Sequence, residues 1–221
     1  HRVRVYCRTG NSTERLARYR GMDHVTLPAA RRRSLETLTH TGLSTAHLVA
    51  HRTDVAFVFN AANAVWLPLV RAARIPVATH VDGLEWRRAK WGPTGRRYYR
   101  WAERLAVRRS DALIADAQGI ADYYDEEFGV PTSLIAYGAP ALDGVGSDRL
   151  SGLGLQPRGY HLVVARFEPE NHVAEIVEGY AASAARLPLV VVGSAPYAAA
   201  YTHRVETAAA GDPRIHLLGA V

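Results

Sequence analysis

Arg166 is the residue whose setting first suggests chemistry. It follows the short apolar run 162–165, which is bounded by a glycine and a proline and predicts a buried strand. After Pro169, apolar residues recur over 173–180 with offsets of three, four and seven, which predicts a helix. A cation at the end of a strand, beside the free amides of a helix N-terminus, can hold an anion such as a phosphate. An ordinary strand–helix turn with a surface arginine is the alternative.

Two further features could help Arg166 to hold a diphosphate. Asn171 lies five residues further along, and Gly193-Ser194 follows a second apolar run, LPLVVV. A glycine lets the backbone approach a ligand closely, although one glycine is a weaker signal than a G-x-G-x-x-G pattern. Two glutamates in the same turn oppose an anion, so Arg166 is the main candidate for binding it.

Polar side chains also follow the predicted strands in the first part of the chain. They are Asn60, Asn63, Asp82, Glu85, Asp116, Gln118 and Tyr137. Parallel sheets bind ligands at the carboxyl ends of their strands, and amides and carboxylates can hydrogen-bond the neighbouring hydroxyls of a sugar. Helix capping is the alternative. We favour capping for Asp116 and a functional role for Asn60 and Asp82.

His80 and Asp82 stand two residues apart around the end of the predicted strand 76–81. Residues two apart on a strand share a face, so both side chains could point toward a bound sugar. His47 and His51 stand four apart, as metal ligands on a helix can, but no third ligand accompanies them and we predict no metal site.

A basic and aromatic stretch runs through residues 86–91, WRRAKW, and 95–101, GRRYYRW. Cations interleaved with rings can bind single-stranded nucleic acid. Tyr98, Trp101 and Leu105 fall on one helical stripe, which indicates that part of the aromatic set belongs to the core. A solvated basic helix face is the remaining alternative.

Composition limits the class of protein. The 221 residues can form one large domain or two small ones, and 48% hydrophobic content is ample for a core. Cys7 is the single cysteine, so no intrachain disulfide can form, which suits a reducing cytoplasm. The net charge of +6, carried mainly by arginine, favours anionic partners. No apolar run approaches the roughly 20 residues of a membrane span, and nothing resembles a signal peptide.

Strands and helices alternate along the chain, which predicts an α/β fold with parallel, doubly wound sheets. We predict strands at 2–8, 23–27, 54–59, 76–81, 112–115, 133–136, 161–165, 189–193 and 214–218, and helices at 34–50, 62–73, 95–109, 116–128, 147–153, 170–185 and 196–210. Six glycines and two prolines lie in 138–159. This stretch predicts a linker, 139–159, between a domain at 1–138 and a second one at 160–221, with a cleft between two lobes.

Several motifs resemble a known family of enzymes. ARFEPENH, an amphipathic pattern and LPLVVVGSAP resemble the start of the donor domain of retaining glycosyltransferases of family 4, which have the GT-B fold. HVDGLEWRRAKWG, GRRYYRWAERLA and LIADAQGIADYY are similar to the rhamnosyltransferase-like subgroup of bacterial surface polysaccharide synthesis. The resemblance runs through nearly the whole chain and implies two Rossmann-like sheets, of which the second is incomplete.

The resemblance also implies a reaction and a set of contacts. A sugar, rhamnose in this subgroup, would move with retention from a nucleotide diphosphate sugar to a glycan or polyprenyl-diphosphate-linked acceptor, without a cofactor, metal or nucleic acid. The enzyme would work in the bacterial cytoplasm, in peripheral contact with the inner face of the membrane. Donor contacts are expected from Arg166, Asn171, Gly193, Ser194, Leu218 and Gly219. Acceptor contacts are expected from Asn60, Asn63, Glu85, Trp86, Arg87, Lys90, Gln118 and Tyr137.

Two positions depart from the family pattern. The family generally has a lysine where this chain has Asn171, and many members have a histidine close to the reacting sugar where it has Asp82. The resemblance therefore makes Asp82 the first candidate for general acid–base catalysis and His80 the second. The first strand with its glycine-rich loop and the later paired glutamates are also missing, so we expect a fragment that is inactive alone. Two alternatives stay open: a non-catalytic binding module for an anionic glycolipid or nucleic acid, and a nucleotide-sugar epimerase of the same fold.

Overall fold

The computed structural model describes residues 1–9, 16–30, 35–88, 91–195 and 198–220. The chain divides into two compact units, His1–Gly138 (unit 1) and Ala139–Val221 (unit 2). Strands pair in parallel in both units, and helices connect them. The α/β class with parallel sheets that the sequence predicts is therefore confirmed.

The first three strands of unit 1 form a sheet of their own. They are β1 (Arg4–Arg8), β2 (Arg18–Tyr19) and β3 (Met22–Leu27), in the order β1-β3-β2. Strand β2, which pairs antiparallel with β3, was not predicted from the sequence. Between them Arg20 and Gly21 have φ angles of 48° and 81°. Two residues with positive φ make the tight turn that suits a two-residue hairpin.

A second sheet of four parallel strands makes up the rest of unit 1. Its strands are β4 (Ala56–Phe59), β5 (Val77–His80), β6 (Ala112–Ala115) and β7 (Ser133–Leu134), in the order β4-β5-β6-β7. The first and the last residue of each strand lie within two residues of the predicted ones. In the described part of the chain, β1 and β4 each lie at the end of their own sheet.

The helices of unit 1 are α1 (Glu36–Ala50), α2 (Leu67–Ala72), α3 (Pro93–Arg109) and α4 (Gln118–Phe128). The predicted helix 62–73 is divided, because a 3-10 helix occupies Ala61–Trp66 before α2 begins. Pro68 lies in the first turn of α2. Since proline has no N–H group, an α-helical hydrogen-bond ladder cannot run through this position.

The core of unit 1 lies between the second sheet and its helices. One cluster joins β4 and β5 to α2 and α3 through buried residues that include Ala56, Val77, Leu67, Val70 and Ala106. A second cluster contains Val81, Leu113 and Tyr124. These contacts hold the carboxyl ends of the strands in fixed positions, where the predicted polar residues follow.

Unit 2 contains a three-stranded parallel sheet in the order β10-β9-β8. Its elements are α5 (Asp148–Ser151), β8 (His161–Val164), α6 (Val173–Ala181), β9 (Leu189–Val192), α7 (Ala199–Ala209) and β10 (Ile215–Gly219). Val173 and Val177 of α6 pack with Val191 of β9 and Val205 of α7. The predicted start of α7 at residue 196 lies outside the described residues.

The predicted helix 170–185 is shorter than expected. A 3-10 turn at Pro169–Asn171 comes first, and His172 then adopts a left-handed conformation with φ 52°. A left-handed residue breaks the right-handed ladder, so α6 begins at Val173. The amides nearest Arg166 therefore belong to a 3-10 turn and not to the N-terminus of a long helix.

The glycine-rich stretch that we predicted as a linker belongs to unit 2. It contains the short helix α5, and Leu155 is buried, with 7% of its surface exposed. Residues 133–149 are all exposed. The strands on either side belong to different sheets, because β7 pairs with β6 and β8 pairs with β9.

Candidate functional site

Asn60 and Asn63 follow β4 and are held by the backbone around them. Asn60 has φ 72°, and its side-chain oxygen accepts a hydrogen bond of 2.9 Å from the Ala62 amide. Asn60 therefore caps the 3-10 helix, which is the alternative that we did not favour. Asn63 is buried and its Nδ2 donates to the Phe59 carbonyl at 2.9 Å. Its Oδ1 is buried and has no hydrogen-bond partner.

The capping role predicted for Asp116 is wrong. Helix α4 begins at Gln118, its N-cap residue is Ala117, and no side chain caps it. The Gln118 side chain donates instead to Asp122 on the same helix, at 2.7 Å. Both ends of that hydrogen bond are exposed, so a ligand could replace it.

His80 and Asp82 have different surroundings. His80 is 8% exposed, and its ring centroid lies 5.5 Å from that of Phe59 and 5.9 Å from that of Tyr137. Tyr137 is 78% exposed. The structure thus brings His80 and Tyr137 together across β6, and the Tyr137 ring lies beside the buried imidazole.

Asp82 lies beyond the end of β5 and is exposed. Its Oδ1 accepts a hydrogen bond from the Gly83 amide at 2.8 Å. Burial, followed by the nearby negative charges of Glu85 and Asp82, raises the pKa of Tyr99. Asp82 is therefore a solvent-accessible carboxylate near the half-buried Tyr99, which is a suitable position for exchanging a proton with a bound molecule.

Glu85 holds together the turn that follows. The turn is a 3-10 helix at Glu85–Arg87. The two carboxylate oxygens of Glu85 accept from Arg88, at 2.6 Å, and from Trp91 Nε1, at 3.3 Å. Its side chain is only 13% exposed. The Glu85 carboxylate is therefore already bonded to Arg88 and Trp91, and its expected contact with a sugar stays a prediction.

Two arginines cover Trp86. The guanidinium carbons of Arg87 and Arg100 lie 5.0 Å and 4.9 Å from the centre of its ring, which are cation–π distances. The ring also lies 6.5 Å from that of Tyr123. Arg87 and Arg100 thus both form cation–π contacts with the Trp86 ring. A ligand that approaches from their side would contact the guanidinium groups before the indole. Lys90, the remaining cation of this predicted set, lies outside the described residues.

Glu103 is a buried carboxyl group that sequence reasoning missed. It is 3% exposed, and Tyr123 donates a hydrogen bond of 3.2 Å to its Oε2. Burial raises the pKa of Glu103 to about 7, against the smaller opposite effects of Tyr123 and Arg100. The sequence did carry a signal, because Glu103 follows Tyr99 by four residues and precedes Ala106 by three, which places it on the same face of a helix as both.

In unit 2, Arg166 follows β8 and is exposed. Its side chain makes no hydrogen bond or ion pair with any residue in the described part of the chain. Asn171 donates its Nδ2 to the Arg166 carbonyl at 2.8 Å. Asn171 therefore shapes the turn that presents Arg166 and leaves the guanidinium free for an anion.

Gly193 is required by the protein's own backbone. Its φ is 152°, and a Cβ atom there would lie 1.8 Å from the Ala165 carbonyl oxygen. The Gly193 amide donates to the Gly219 carbonyl at 2.8 Å, and the Phe167 amide donates to Ser194 at 3.3 Å. The missing side chain of Gly193 thus makes room for the Ala165 carbonyl, directly after β8. The expected approach of a diphosphate to this glycine stays a prediction.

These bonds bring Arg166, Ser194 and the end of β10 to one edge of the sheet. Arg166 precedes Phe167, which is bonded to Ser194, and Gly219 is bonded to Gly193. Leu218 and Gly219 are the last two residues of β10. The carboxyl ends of β8, β9 and β10 therefore bring two residues that can bind a phosphate, the cation Arg166 and the hydroxyl-bearing Ser194, to the same edge of the sheet.

Neither a cluster of metal ligands nor a membrane-spanning helix occurs in the described part of the chain. Among the described residues, no group of three or more His, Cys, Asp or Glu side chains could hold a metal ion. His47 and His51 stack on each other, with ring centres 3.8 Å apart. Within the same residues, no helix combines the length and the apolar character that crossing a membrane requires.

Comparisons with known proteins place this geometry in context. Residues 74–140 match the family described as "Domain of unknown function (DUF1972)", and no curated protein matches the chain. The chain is similar to HepE of Anabaena in complex with UDP-glucose, with 16% identity, a TM-score of 0.61, and coverage of 90% of this chain and 56% of that one. It is also similar to a putative UDP-N-acetylglucosamine 2-epimerase of Listeria monocytogenes, with 12% identity, a TM-score of 0.57, and coverage of 90% and 62%.

A third similar structure is the lipopolysaccharide outer core galactosyltransferase WaaB, with 12% identity, a TM-score of 0.51, and coverage of 91% of this chain and 54% of that one. The chain thus spans little more than half the length of the solved structures that it matches. At such identities the likeness shows a shared fold, the Rossmann-like GT-B type, and the sequence prediction of that fold is confirmed.

Proposed function

We propose that this chain is part of a glycosyltransferase that takes a sugar from a nucleotide diphosphate sugar. The observation that carries the proposal is Arg166, an exposed arginine without a partner in the described chain, next to Ser194 at the carboxyl edge of a parallel sheet. Ligands of open parallel sheets bind at that edge. The complexes of HepE with UDP and with UDP-glucose support a nucleotide sugar as the ligand.

Arg166 would act on the leaving group. When the bond between the sugar and the diphosphate breaks, negative charge accumulates on the phosphate oxygens. A guanidinium group that is already in place stabilises this charge without reorganisation and without a metal ion. The Ser194 hydroxyl would donate to the same phosphate, and Leu218 and Gly219 would border the nucleotide.

Asp82 would serve the acceptor side as the acid–base residue. Its carboxylate is exposed, so it can accept a proton from an acceptor hydroxyl as that oxygen attacks the sugar. His80 is a weaker candidate because its ring is buried between Phe59 and Tyr137. Tyr137, which is largely exposed, would contact the acceptor directly.

The finer features of the reaction follow from the resemblance of the motifs. The transferred sugar would be rhamnose, with retention of configuration and without a cofactor. The acceptor would be a glycan or a polyprenyl-diphosphate-linked glycan at the inner face of the bacterial membrane. The basic segment with Arg87, Arg97 and Arg100 supports an anionic acceptor, since an excess of arginine attracts phosphate groups and anionic lipid.

A nucleotide-sugar epimerase is the second candidate. It is favoured by one observation, the similarity to the Listeria monocytogenes protein named as a putative UDP-N-acetylglucosamine 2-epimerase. Both reactions break a bond between a sugar and a diphosphate. They differ in whether a second, acceptor molecule is needed.

The test compares two arginines of unit 2 in the full-length protein. Arg166→Gln should weaken binding of UDP and of dTDP about 10- to 100-fold, because a charge-assisted contact with phosphate is lost. Arg186→Gln is the matched control, since Arg186 is exposed and makes no hydrogen bond or ion pair in the described chain. Isothermal titration calorimetry measures both affinities.

Two results would decide between the candidates. Release of nucleoside diphosphate that depends on an added lipid-linked glycan supports transfer, whereas a new sugar nucleotide formed without acceptor supports epimerisation. Equal affinities for the wild type and for Arg166→Gln would overturn the donor site.

A further inference from the structure

The outer faces of α3 and α4 lie side by side in unit 1. The strands β5, β6 and β7 are parallel neighbours in chain order, and right-handed crossovers between them put both helices on one face of the sheet. Two side-chain contacts join the helices, because Tyr123 donates to Glu103 and Arg100 donates to Glu127, each at 3.2 Å. The side chains that point away from the sheet on α3 and α4 therefore form one continuous surface.

The outer face of α3 is basic in its second half. Trp101, Arg104 and Arg108, the basic stripe, recur at offsets of three and four and are all exposed. In the part of the chain that the structure describes, neither guanidinium group takes part in a hydrogen bond or an ion pair. Trp101 is 46% exposed, although tryptophan is on average a well-buried residue. The stripe thus presents two unpaired positive charges beside an exposed indole.

The outer face of α4 is acidic. Asp122, Asp125 and Glu126, the acidic stripe, also recur at offsets of three and four, and all of them are exposed. Asp122 accepts a hydrogen bond from Gln118 on the same helix. Among the described residues, no hydrogen-bond or ion-pair partner exists for the carboxylates of Asp125 and Glu126. Helix α4 includes no lysine, arginine or histidine, so it does not balance these charges itself.

A uniformly anionic surface is a poor partner for the two stripes together. It would attract the basic stripe and repel the acidic stripe that lies beside it. The surface is complementary to a partner that carries an acidic stripe next to a basic one. A second copy of the chain meets this condition when a two-fold axis runs parallel to the helices, because the α3 of each copy then faces the α4 of the other.

The two stripes also match in height along the helices. Both helices run antiparallel to the strands, and the contacts between them align residues 100–103 of α3 with residues 123–127 of α4. Rotation about an axis parallel to the helices keeps every residue at its height. Arg104 of one copy is therefore level with Asp125 and Glu126 of the other, and Arg108 lies one turn further on, within reach of its long side chain.

The area of the two helices indicates how strong such an interface can be. Helix α3 has 17 residues, which makes it about 25 Å long, and two adjacent helices are about 20 Å wide. Each copy would cover about 500 Å², and the total of about 1,000 Å² lies at the low end for specific interfaces. The dimer should therefore form weakly and reversibly, and salt should screen its attraction.

We propose that the outer faces of α3 and α4 form a two-fold interface between two copies of this protein. Arg104 and Arg108 of each copy pair with Asp125 and Glu126 of the other copy, and Trp101 adds an apolar contact. The interface contains two equal sets of ion pairs, because a two-fold contact is self-complementary. The inference does not depend on the proposed function.

Charge reversal tests the interface and includes its own rescue. The α3 variant carries Arg104→Glu and Arg108→Glu, and the α4 variant carries Asp125→Arg and Glu126→Arg. Each should raise the dimer dissociation constant at least about 10-fold, because like charges then face each other. An equimolar mixture of the two variants should dimerise like the wild type, since every facing pair has opposite charges again. Sedimentation equilibrium of the full-length protein at low salt measures these constants.

Controls separate the interface from net charge and from folding. Arg149→Glu together with Arg186→Glu changes the net charge as the α3 variant does, at exposed residues of unit 2, and should leave the dissociation constant unchanged. All substituted residues are exposed, so circular dichroism should give every variant a Tm close to that of the wild type. At about 1 M sodium chloride, where the Debye length is about 3 Å, the wild-type dimer should dissociate more readily.

Three outcomes would overturn the proposal. The wild type could stay monomeric at low salt up to its highest soluble concentration. The wild type and both variants could dimerise with equal constants, which would place the interface elsewhere. The mixture of folded variants could stay monomeric, which would show that the two faces do not meet. If a monomeric wild type binds vesicles of phosphatidylglycerol and phosphatidylcholine in equal parts and the α3 variant does not, an anionic lipid surface is the partner instead.

Discussion

Glu103 is a carboxyl group that the fold holds out of water. Its pKa is raised by burial to about 7 from 4.5. The folded state therefore binds its proton more tightly than the unfolded state does. The stabilisation associated with that proton is complete below about pH 4.5 and is lost as the pH rises through about 7.

Glu103→Gln should remove this pH dependence. The amide keeps an oxygen for the Tyr123 hydroxyl and carries no charge, so we expect wild-type stability at pH 5 and a gain of about 2 kcal/mol at pH 8. Urea unfolding followed by tryptophan fluorescence is the measurement, because all four tryptophans lie in unit 1. Glu126→Gln, an exposed change on α4, should shift the curves equally at both pH values. A gain that is the same at pH 5 and pH 8 would show that Glu103 stays ionised.

Asp82→Asn separates a chemical role from a structural one. The side chain is exposed and its one hydrogen bond, from the Gly83 amide, can also be accepted by the Asn oxygen. We expect the rate of the proposed sugar transfer by the full-length protein to fall about 100-fold, as removal of a general base does, with an unchanged Tm. Asp143→Asn is the control for a lost surface charge. Full activity together with a lower Tm would make Asp82 structural.

The sequence predicted which residues stand at strand ends but not which of them are already bonded. Asn60 and Asp116 have similar settings in the sequence, and only Asn60 caps a helix. The difference arises because Asn60 adopts φ 72°, which turns its oxygen toward the next amides. Local backbone angles of this kind are set by tertiary packing, so residue types alone could not rank the two candidates.

At the scale of elements, Gly193 fixes the contact between β8 and β9. A methyl group there would overlap the Ala165 carbonyl oxygen, which belongs to the backbone and cannot rotate away. Gly193→Ala should therefore destabilise unit 2 by about 3 kcal/mol or more. Far-UV circular dichroism during thermal unfolding would record this loss.

Gly179→Ala is the matched control. Gly179 lies inside α6, and a Cβ atom there would meet nothing within 4 Å. Because alanine favours the helix more than glycine, this change should stabilise unit 2 by about 0.5–1 kcal/mol. Equal effects of the two substitutions would contradict the assigned role of Gly193.

The strands were predicted well because short apolar runs between turn residues leave few alternatives. Helix ends were predicted less well. The predicted helix 170–185 is interrupted by the left-handed His172, and the predicted helix 62–73 begins as a 3-10 helix. The hairpin of β2 and β3 was missed because Tyr19-Arg20-Gly21-Met22 lacks the Asn-Gly or Asp-Gly pair that marks such turns.

At the scale of the whole chain, the exposed run 133–149 crosses the boundary between the two units. Exposed segments without regular hydrogen bonds are cleaved first by proteases. Brief treatment with chymotrypsin should therefore cut after Tyr137 or Leu142, which are 78% and 73% exposed. Mass spectrometry should find two fragments that match unit 1 and unit 2. A first cut after Phe128 would contradict this division.

An open space of unit 1, lined by residues 1–9, residues 53–60 and side chains of α1, has a practical consequence through Cys7, the chain's single cysteine. Its thiol is free, partly buried, and part of the wall formed by β1. A polarity-sensitive dye attached with maleimide would mark one known position without any engineered mutation. Its emission would report, in real time and at low protein concentration, whether the space between the two sheets holds water or polypeptide.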